Sequence, residues 1–274
     1  MSSFDESDEI PFWTLSDRVT AWNFLYDFAK KVNQPSLFST SPFLTSAFSY
    51  LSRFYHILYS SQLKPDKDML TLCITSAFIS RKQFDLRMNL DSIITIFLEV
   101  FNEYSSQEKK PLSNTKYGKN QVFQFQQLKS DVLSCELFLL TIIGWDFIME
   151  HPFAHFIQYI KLIRHQSDND MATFRKMRSR AARYVITIMV CEDNFQLEAE
   201  TIATAAIHRA ISDIPQENFS ADVESRNFWI KKLEIENDGK SYLKLSKEIA
   251  QMEEKLSKFA LQAEEKIANE KQKA

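Results

Sequence analysis

Between about residues 67 and 82 the chain offers no polar face. Met69, Leu70, Leu72, Cys73, Ile74, Ala77, Phe78 and Ile79 fall on nearly every side of a helix drawn through them. Such a helix is stable only when other elements surround it. Asp66 stands in position to cap it. A bundle therefore has to form around this segment, and the neighbouring sequence supplies the walls. Residues 16–33 put Val19, Trp22, Phe24, Leu25 and Phe28 largely on one side, with Ser16 or Asp17 as the cap. Ser41-Pro42 opens a second helix in the favoured cap-then-proline order. Its stripe is Leu44, Ala47, Phe48, Leu51, Phe54, Tyr55 and Leu58, spaced three and four apart. The apolar helix comes third, a fourth spans about 89–104, and a fifth about 124–143. Residues 105–120 break the pattern and read as a mobile surface loop.

The fifth helix stops at Gly144, a glycine suited to a helix C-terminus, and another begins at Pro152. Further helices are predicted over about 153–165, 172–191 and 197–212, a short one around Phe228, Trp229 and Leu233, and a long one from about 240. The helix over 197–212 carries Ile202, Ala203, Ala205, Ala206 and Ala210, so the second half repeats the plan of five helices with an apolar third. From Tyr242 the apolar positions run Tyr242, Leu245, Ile249, Met252, Leu256, Phe259 and Ala263, a heptad seam. Its first turns suit packing on the second bundle. The rest is either a solvated tail or a short coiled coil with a partner.

Composition agrees with helices. Three glycines and seven prolines in 274 residues argue against a sheet-rich fold or a glycine-rich phosphate loop, and 23 phenylalanines suit a core of large side chains. A net charge of −3 excludes a chain-wide nucleic-acid footprint. Cys73, Cys135 and Cys191 lie in apolar helical runs and read as buried free thiols of a reducing compartment. The acidic start, Met1 to Glu9, is no secretory signal, and no apolar run reaches the roughly 18 residues of a membrane span. A cytosolic or nuclear protein is expected.

Enzyme motifs are missing: the sequence holds no Cys-x-x-Cys, His-Glu-x-x-His or Gly-x-Ser-x-Gly. His151 and His155 have zinc-ligand spacing, but Pro152 between them makes His151 a helix cap instead. Asp168 and Asp170 read as capping residues rather than calcium ligands. Arg175, Lys176, Arg178, Arg180 and Arg183 form either a solvated helix face or a patch for a phosphorylated partner or RNA. Glu136 is the odd residue, set among Leu133, Leu137, Phe138, Leu139 and Leu140. A buried carboxylate needs a partner, and Lys82 at the end of the third helix is a candidate. The other reading lets Glu136 reach solvent.

The run from Glu136 through Gly144-Trp145-Asp146 to His151-Pro152 resembles the fifth-helix segment of the cyclins, where a glutamate lies eight residues before a Gly-Phe pair and an acidic residue and His-Pro follow. Arg18, Ala21, Asn23, Leu25, Asp27 and Asn33 are similar to the first helix of cyclin boxes of the transcription type, the group that includes cyclins K, T, L and C. Tyr50, Arg53, Phe54 and Tyr55 resemble its second helix, and Lys82 its third-helix lysine. Val190-Cys191, Ile202 to Ala206 and Trp229 resemble the second box in outline. The resemblance covers residues 10–165 well and implies an all-α cyclin fold: an N-terminal segment (1–15), two tandem five-helix boxes (16–150 and 151–258) and a charged helical tail (259–274).

It also implies a function. A cyclin is not an enzyme and needs no cofactor or metal. It binds and allosterically activates a cyclin-dependent kinase, here of the class that acts on RNA polymerase II, in the nucleus. Lys82 and Glu136 would pair at the kinase-facing surface, and Phe78, Ile79, Leu137 and Leu140 would divide between core and kinase groove. The C-terminal helix could take a further protein partner; nucleic acid and membrane are not expected. Three departures stand out: Phe84-Asp85 keeps half of the usual acidic pair, Arg81 replaces a small residue, and no Met-Arg-Ala-Ile-Leu docking patch is present. The alternative is an adaptor with this fold that no longer activates a kinase, in chromosome or meiotic assemblies.

Overall fold

The computed structural model describes residues 13–32, 42–61, 63, 67–84, 87–106, 121–147, 150–164, 171–191, 197–214, 230 and 241–273. Among them there are helices, turns and bends, and no strand. Five helices form the first half: α1 (Leu15–Lys31), α2 (Pro42–Ser60), α3 (Met69–Gln83), α4 (Leu90–Ser106) and α5 (Gln121–Ile142). Four follow: α6 (Pro152–Arg164), α7 (Met171–Cys191), α8 (Ala199–Ser212) and α9 (Ser241–Lys273). The short helix expected near Trp229, and the capping aspartates Asp168 and Asp170, lie outside the described residues, as do Ser41, Asp66 and Asp85. So does most of the 105–120 loop, whose first two residues instead end α4.

Two helix starts differ from expectation. The cap of α1 is Thr14, not Ser16 or Asp17. The Thr14 hydroxyl accepts from the Asp17 amide at 3.1 Å, and the Asp17 carboxylate accepts from the Thr14 amide at 3.0 Å. Asp17 is thus the returning half of a capping box. The cap of α3 is Asp68 rather than Asp66, accepting from the Thr71 amide at 3.0 Å and the Thr71 hydroxyl at 2.9 Å. Both errors have one cause. Several polar residues crowd each boundary, and only the backbone's exit from extended geometry selects among them.

Helix α3 is the central element that its composition demands. Every residue from Leu70 to Ser80 is buried, and α1, α2, α4 and α5 all pack on it. Its few hydroxyls find acceptors within the core: Thr75 donates to the Thr71 carbonyl at 2.7 Å, Ser76 to Cys73 at 2.9 Å and Ser80 to Phe43 on α2 at 2.7 Å. A buried hydroxyl bonded this way escapes the desolvation penalty. Around α3 the phenylalanines do the filling, with Phe28 stacked on Phe97 at 4.1 Å between ring centres.

Helix α8 holds the corresponding place in the second half. Ile202, Ala203, Ala205, Ala206 and Ala210 are buried, and α6, α7 and α9 pack around it. Small residues there let three helices approach closely. The seam of α9 seats Tyr242, Leu245, Ile249 and Met252 in the core, with Leu256 half-buried at the edge. Phe259 and Ala263, the next two seam positions, have side chains outside the described set. Contacts between α1 and α7 join the halves, and the buried apolar residues of both form one continuous cluster. Cys73 and Cys135 are buried free thiols, whereas Cys191 is only half-buried, near the Met252 carbonyl.

Candidate functional site

Helix α5 is apolar on two faces. Leu128, Val132, Cys135 and Leu139 point into the core, while Leu133, Leu137 and Leu140 form a second stripe at i, i+4 and i+7. Among the described residues no helix covers that second stripe. Leu133 is 48% exposed and Leu137 60%. Together with the last turn of α3 it lines a groove of about 640 Å³, bounded by Ile79, Lys82, Gln83, Leu133, Glu136, Leu137, Leu140, Trp145 and Phe147. Ile79 and Leu140 are buried and make its floor; Leu133, Leu137 and Trp145 make an exposed apolar rim.

The charged pair sits on this rim. Lys82 Nζ lies 2.6 Å from Glu136 Oε1, and 4.3 Å from the centre of the Phe78 ring beneath it. The Glu136 side chain is 15% exposed and that of Lys82 47%. Glu136 is therefore neither isolated in the core nor extended into water. It is held at the surface by a cation that itself rests on an aromatic face. Of the six apolar and charged residues singled out in the sequence, five line the groove. Phe78 does not; it lies in the core and supports the lysine.

The far wall is built by the α5–α6 connection. Gly144 has φ +71° and Trp145 φ +58°. The Trp145 amide donates to the Leu140 carbonyl at 2.9 Å and the Gly144 amide to Thr141 at 3.1 Å. This six-to-one bond with its inner companion is a Schellman ending. A Cβ on Gly144 would meet nothing within 4 Å, so the backbone angle and not crowding requires glycine. The same ending throws Trp145 outward beside Leu140, where it is 56% exposed.

Residues 146 and 147 are pinned to α2 and α3. The Tyr50 hydroxyl donates to Gln83 Oε1 at 2.7 Å, Gln83 Nε2 donates to the Phe147 carbonyl at 3.1 Å, and Arg53 Nη1 lies 3.0 Å from the Asp146 carboxylate. Burial pushes the Tyr50 phenol up to about 12; the Asp146 charge adds to the shift and Arg53 opposes it. Gln83, Leu133, Trp145 and Phe147 were not foreseen as site residues. The spacing of Leu133, Leu137 and Leu140 carried a usable signal; the left-handed backbone at Trp145 left none.

His151 caps α6, as its place before Pro152 suggests. Its Nδ1 accepts from the Phe153 amide at 3.1 Å, so that nitrogen carries no proton. Nε2 is buried without a well-formed hydrogen bond. Burial lowers the His151 pKa to about 4, opposed by the Thr45 backbone alongside. Among the described residues no group of three or more His, Cys, Asp or Glu side chains could hold a metal ion. Nor is any described helix long and apolar enough to cross a membrane.

No family model matches the sequence. No curated protein matches it either. Among solved structures the chain is similar to a chain of the CAK complex from Chaetomium thermophilum bound to ATP-γ-S. The two are 13% identical with a TM-score of 0.43, over 87% of this chain and 67% of that one.

Proposed function

We propose that this chain is a cyclin-fold regulatory subunit, without catalytic activity of its own, that binds a cyclin-dependent kinase through the groove between α3 and α5. One observation carries the reading. The Lys82–Glu136 pair, 2.6 Å apart, stands on the rim of an open apolar groove, and this is the arrangement that the cyclin resemblance implies for a kinase-facing surface. An apolar groove rimmed by a charged pair suits an amphipathic helix: leucine-like anchors fill the groove and polar groups meet the pair. Seating a mobile kinase helix there would hold it where the kinase's own lysine–glutamate pair and magnesium site assemble. The activation is thus a population shift driven by differential binding.

The finer assignment, a kinase of the transcription class acting on RNA polymerase II in the nucleus, rests on the likeness of Tyr50, Arg53, Phe54, Tyr55 and the Glu136-to-Pro152 run to that group. The division into boxes at 16–150 and 151–258 and a tail at 259–274 belongs to the same proposal. The test is capture of the tagged full chain at physiological salt, mass spectrometry of what it retains, and a kinase assay on polymerase C-terminal-domain peptide. A kinase that co-purifies and gains activity supports the reading. A kinase that binds without gaining activity favours the adaptor alternative. Absence of any kinase refutes both kinase binding and the role given to the groove. Fluorescence microscopy of the tagged chain tests the nuclear assignment.

A further inference from the structure

Helix α7 contains five cations between Arg175 and Arg183 and no acidic residue anywhere in its 21 residues. Its apolar side, with Phe174, Met177, Ala181, Tyr184, Val185 and Ile188, faces the core. Arg175, Lys176, Arg178 and Arg183 are exposed on the other side, with the small Ser179 among them. Arg180 is half-buried and donates to the Asp213 carbonyl at 3.2 Å. None of the four exposed cations makes an ion pair or hydrogen bond among the described residues. Elsewhere this acidic chain pairs its cations readily: Lys31 with Glu103, Arg53 with Asp146, Lys129 with Asp91 and Arg209 with Asp213.

The arrangement works against the helix that carries it. Arg175 and Arg178, Lys176 and Arg180, and Arg180 and Arg183 are like charges three or four residues apart, a spacing that destabilises a helix. Lys161 and Arg164 are two further exposed cations, in the last turn of α6. Asp168 and Asp170 precede α7 in the sequence, but α7 itself holds no acid to offset five cations, and repulsion kept within one helix marks a surface shaped for a ligand.

We propose that the exposed face of α7 binds a phosphorylated peptide segment of a partner protein. The stripe from Arg175 to Arg183 spans about 12 Å at 1.5 Å per residue, the length of about four extended residues. Three of its four exposed cations are arginines, whose planar forks bind phosphate oxygens in pairs where lysine acts as a point charge. Nucleic acid fits less well. None of the exposed large apolar or aromatic side chains lies on α7, so bases would find no stacking platform, and a membrane would find nothing to insert. The site shares no residue with the α3–α5 groove and does not depend on the kinase reading.

The experiment titrates the full chain, at physiological salt, into four fluorescent probes: a 12-residue acidic peptide with two phosphoserines four residues apart, its unphosphorylated form, a 12-nucleotide single-stranded RNA, and phosphatidylserine vesicles. The phosphopeptide is expected to bind at least tenfold more tightly than the other three. Arg175→Gln, Arg178→Gln and Arg183→Gln combined should weaken it at least tenfold while the melting temperature holds or rises by ~1–3 °C. The same three positions changed to Lys keep the charge but lose the forks, and should recover less than half of the lost binding energy. Equal binding of both peptides, tighter binding of RNA or vesicles, or an unchanged affinity in the Gln variant would each overturn the proposal.

Discussion

Replacing Trp145 with glycine and, separately, with alanine distinguishes what this residue does for the fold from what it does for a partner. At φ +58° an L-residue carries a penalty of about 1–2 kcal/mol, which glycine does not. Against that relief stands lost packing. A fully covered tryptophan hides up to about 250 Å². At 56% exposure Trp145 covers on the order of 100 Å², or about 2.5 kcal/mol at 25 cal/mol/Å², an upper bound because the unfolded chain already hides some of it. Glycine also adds about 0.5–1 kcal/mol of unfolded-state entropy. The glycine variant should therefore lose only about 1–2 kcal/mol. The alanine variant loses the packing and keeps the strain, and should be about 1 kcal/mol less stable than the glycine variant, or ~2–4 °C in melting temperature.

Binding should respond on a different scale. If the groove receives a partner helix, the exposed remainder of Trp145 becomes covered, and truncating such an anchor typically costs 2 kcal/mol or more, about 30-fold in affinity. The assays are calorimetric melts of the three proteins and titration against the captured kinase. An alanine variant as stable as the glycine one would refute the strain account. A glycine variant with wild-type affinity would refute the role of Trp145 in the groove while leaving the strain account intact.

Glu136→Ala should change the stability of the free protein by less than about 1 kcal/mol, because Lys82 is left half exposed, whereas Lys82→Ala leaves a largely covered carboxylate unpaired and should cost about 1–3 kcal/mol; either should weaken kinase binding by about 1–3 kcal/mol once the complex buries the pair, and wild-type affinity in both would sink the assignment. His151, lowered to about 4 from the usual 6.5, must stay neutral to cap α6. Its contribution is complete above pH 6.5 and is lost as pH falls through that window to about 4, on the order of 3 kcal/mol in all; urea melts across pH 4–7 should show this slope flattened in His151→Asn. Asp68→Ala removes both bonds to Thr71 and should cost about 1 kcal/mol, read as a lower urea midpoint with an unchanged slope.

Helix existence and order were legible because the apolar spacing is strong and breakers are rare. The central places of α3 and α8 followed from their having too few polar positions to face water. The Lys82–Glu136 pairing was legible as a need: an acid among leucines requires a cation, and Lys82 stood where α3 ends. Cap identities were not, since several polar residues crowd each helix start and only the extended backbone at Thr14 and Asp68 marks the caps. The groove was legible in half. Leu133, Leu137 and Leu140 read as part of one greasy run, and nothing in the run says that α5 has two apolar faces with only one of them covered. Trp145 and Gln83 depend on the chain reversing at Gly144 and returning past α3, which is tertiary information.

The same reversal explains why the groove is stiff. Its α3 and α5 walls are helices packed in the core, and its third wall is a loop that would swing freely if left to itself. Gln83 prevents this by accepting from Tyr50 while donating to the Phe147 carbonyl, and Arg53 holds Asp146 from the other side. The Schellman bonds fix where the loop leaves α5, and His151 fixes where α6 resumes. A binding surface of this kind loses little conformational freedom when filled, so more of the contact energy is left to order whatever enters it. If the groove seats a partner's mobile helix as proposed, this division follows from thermodynamics. The shift in the partner cannot exceed the difference in binding between its two states, and a groove that yielded to both would select neither.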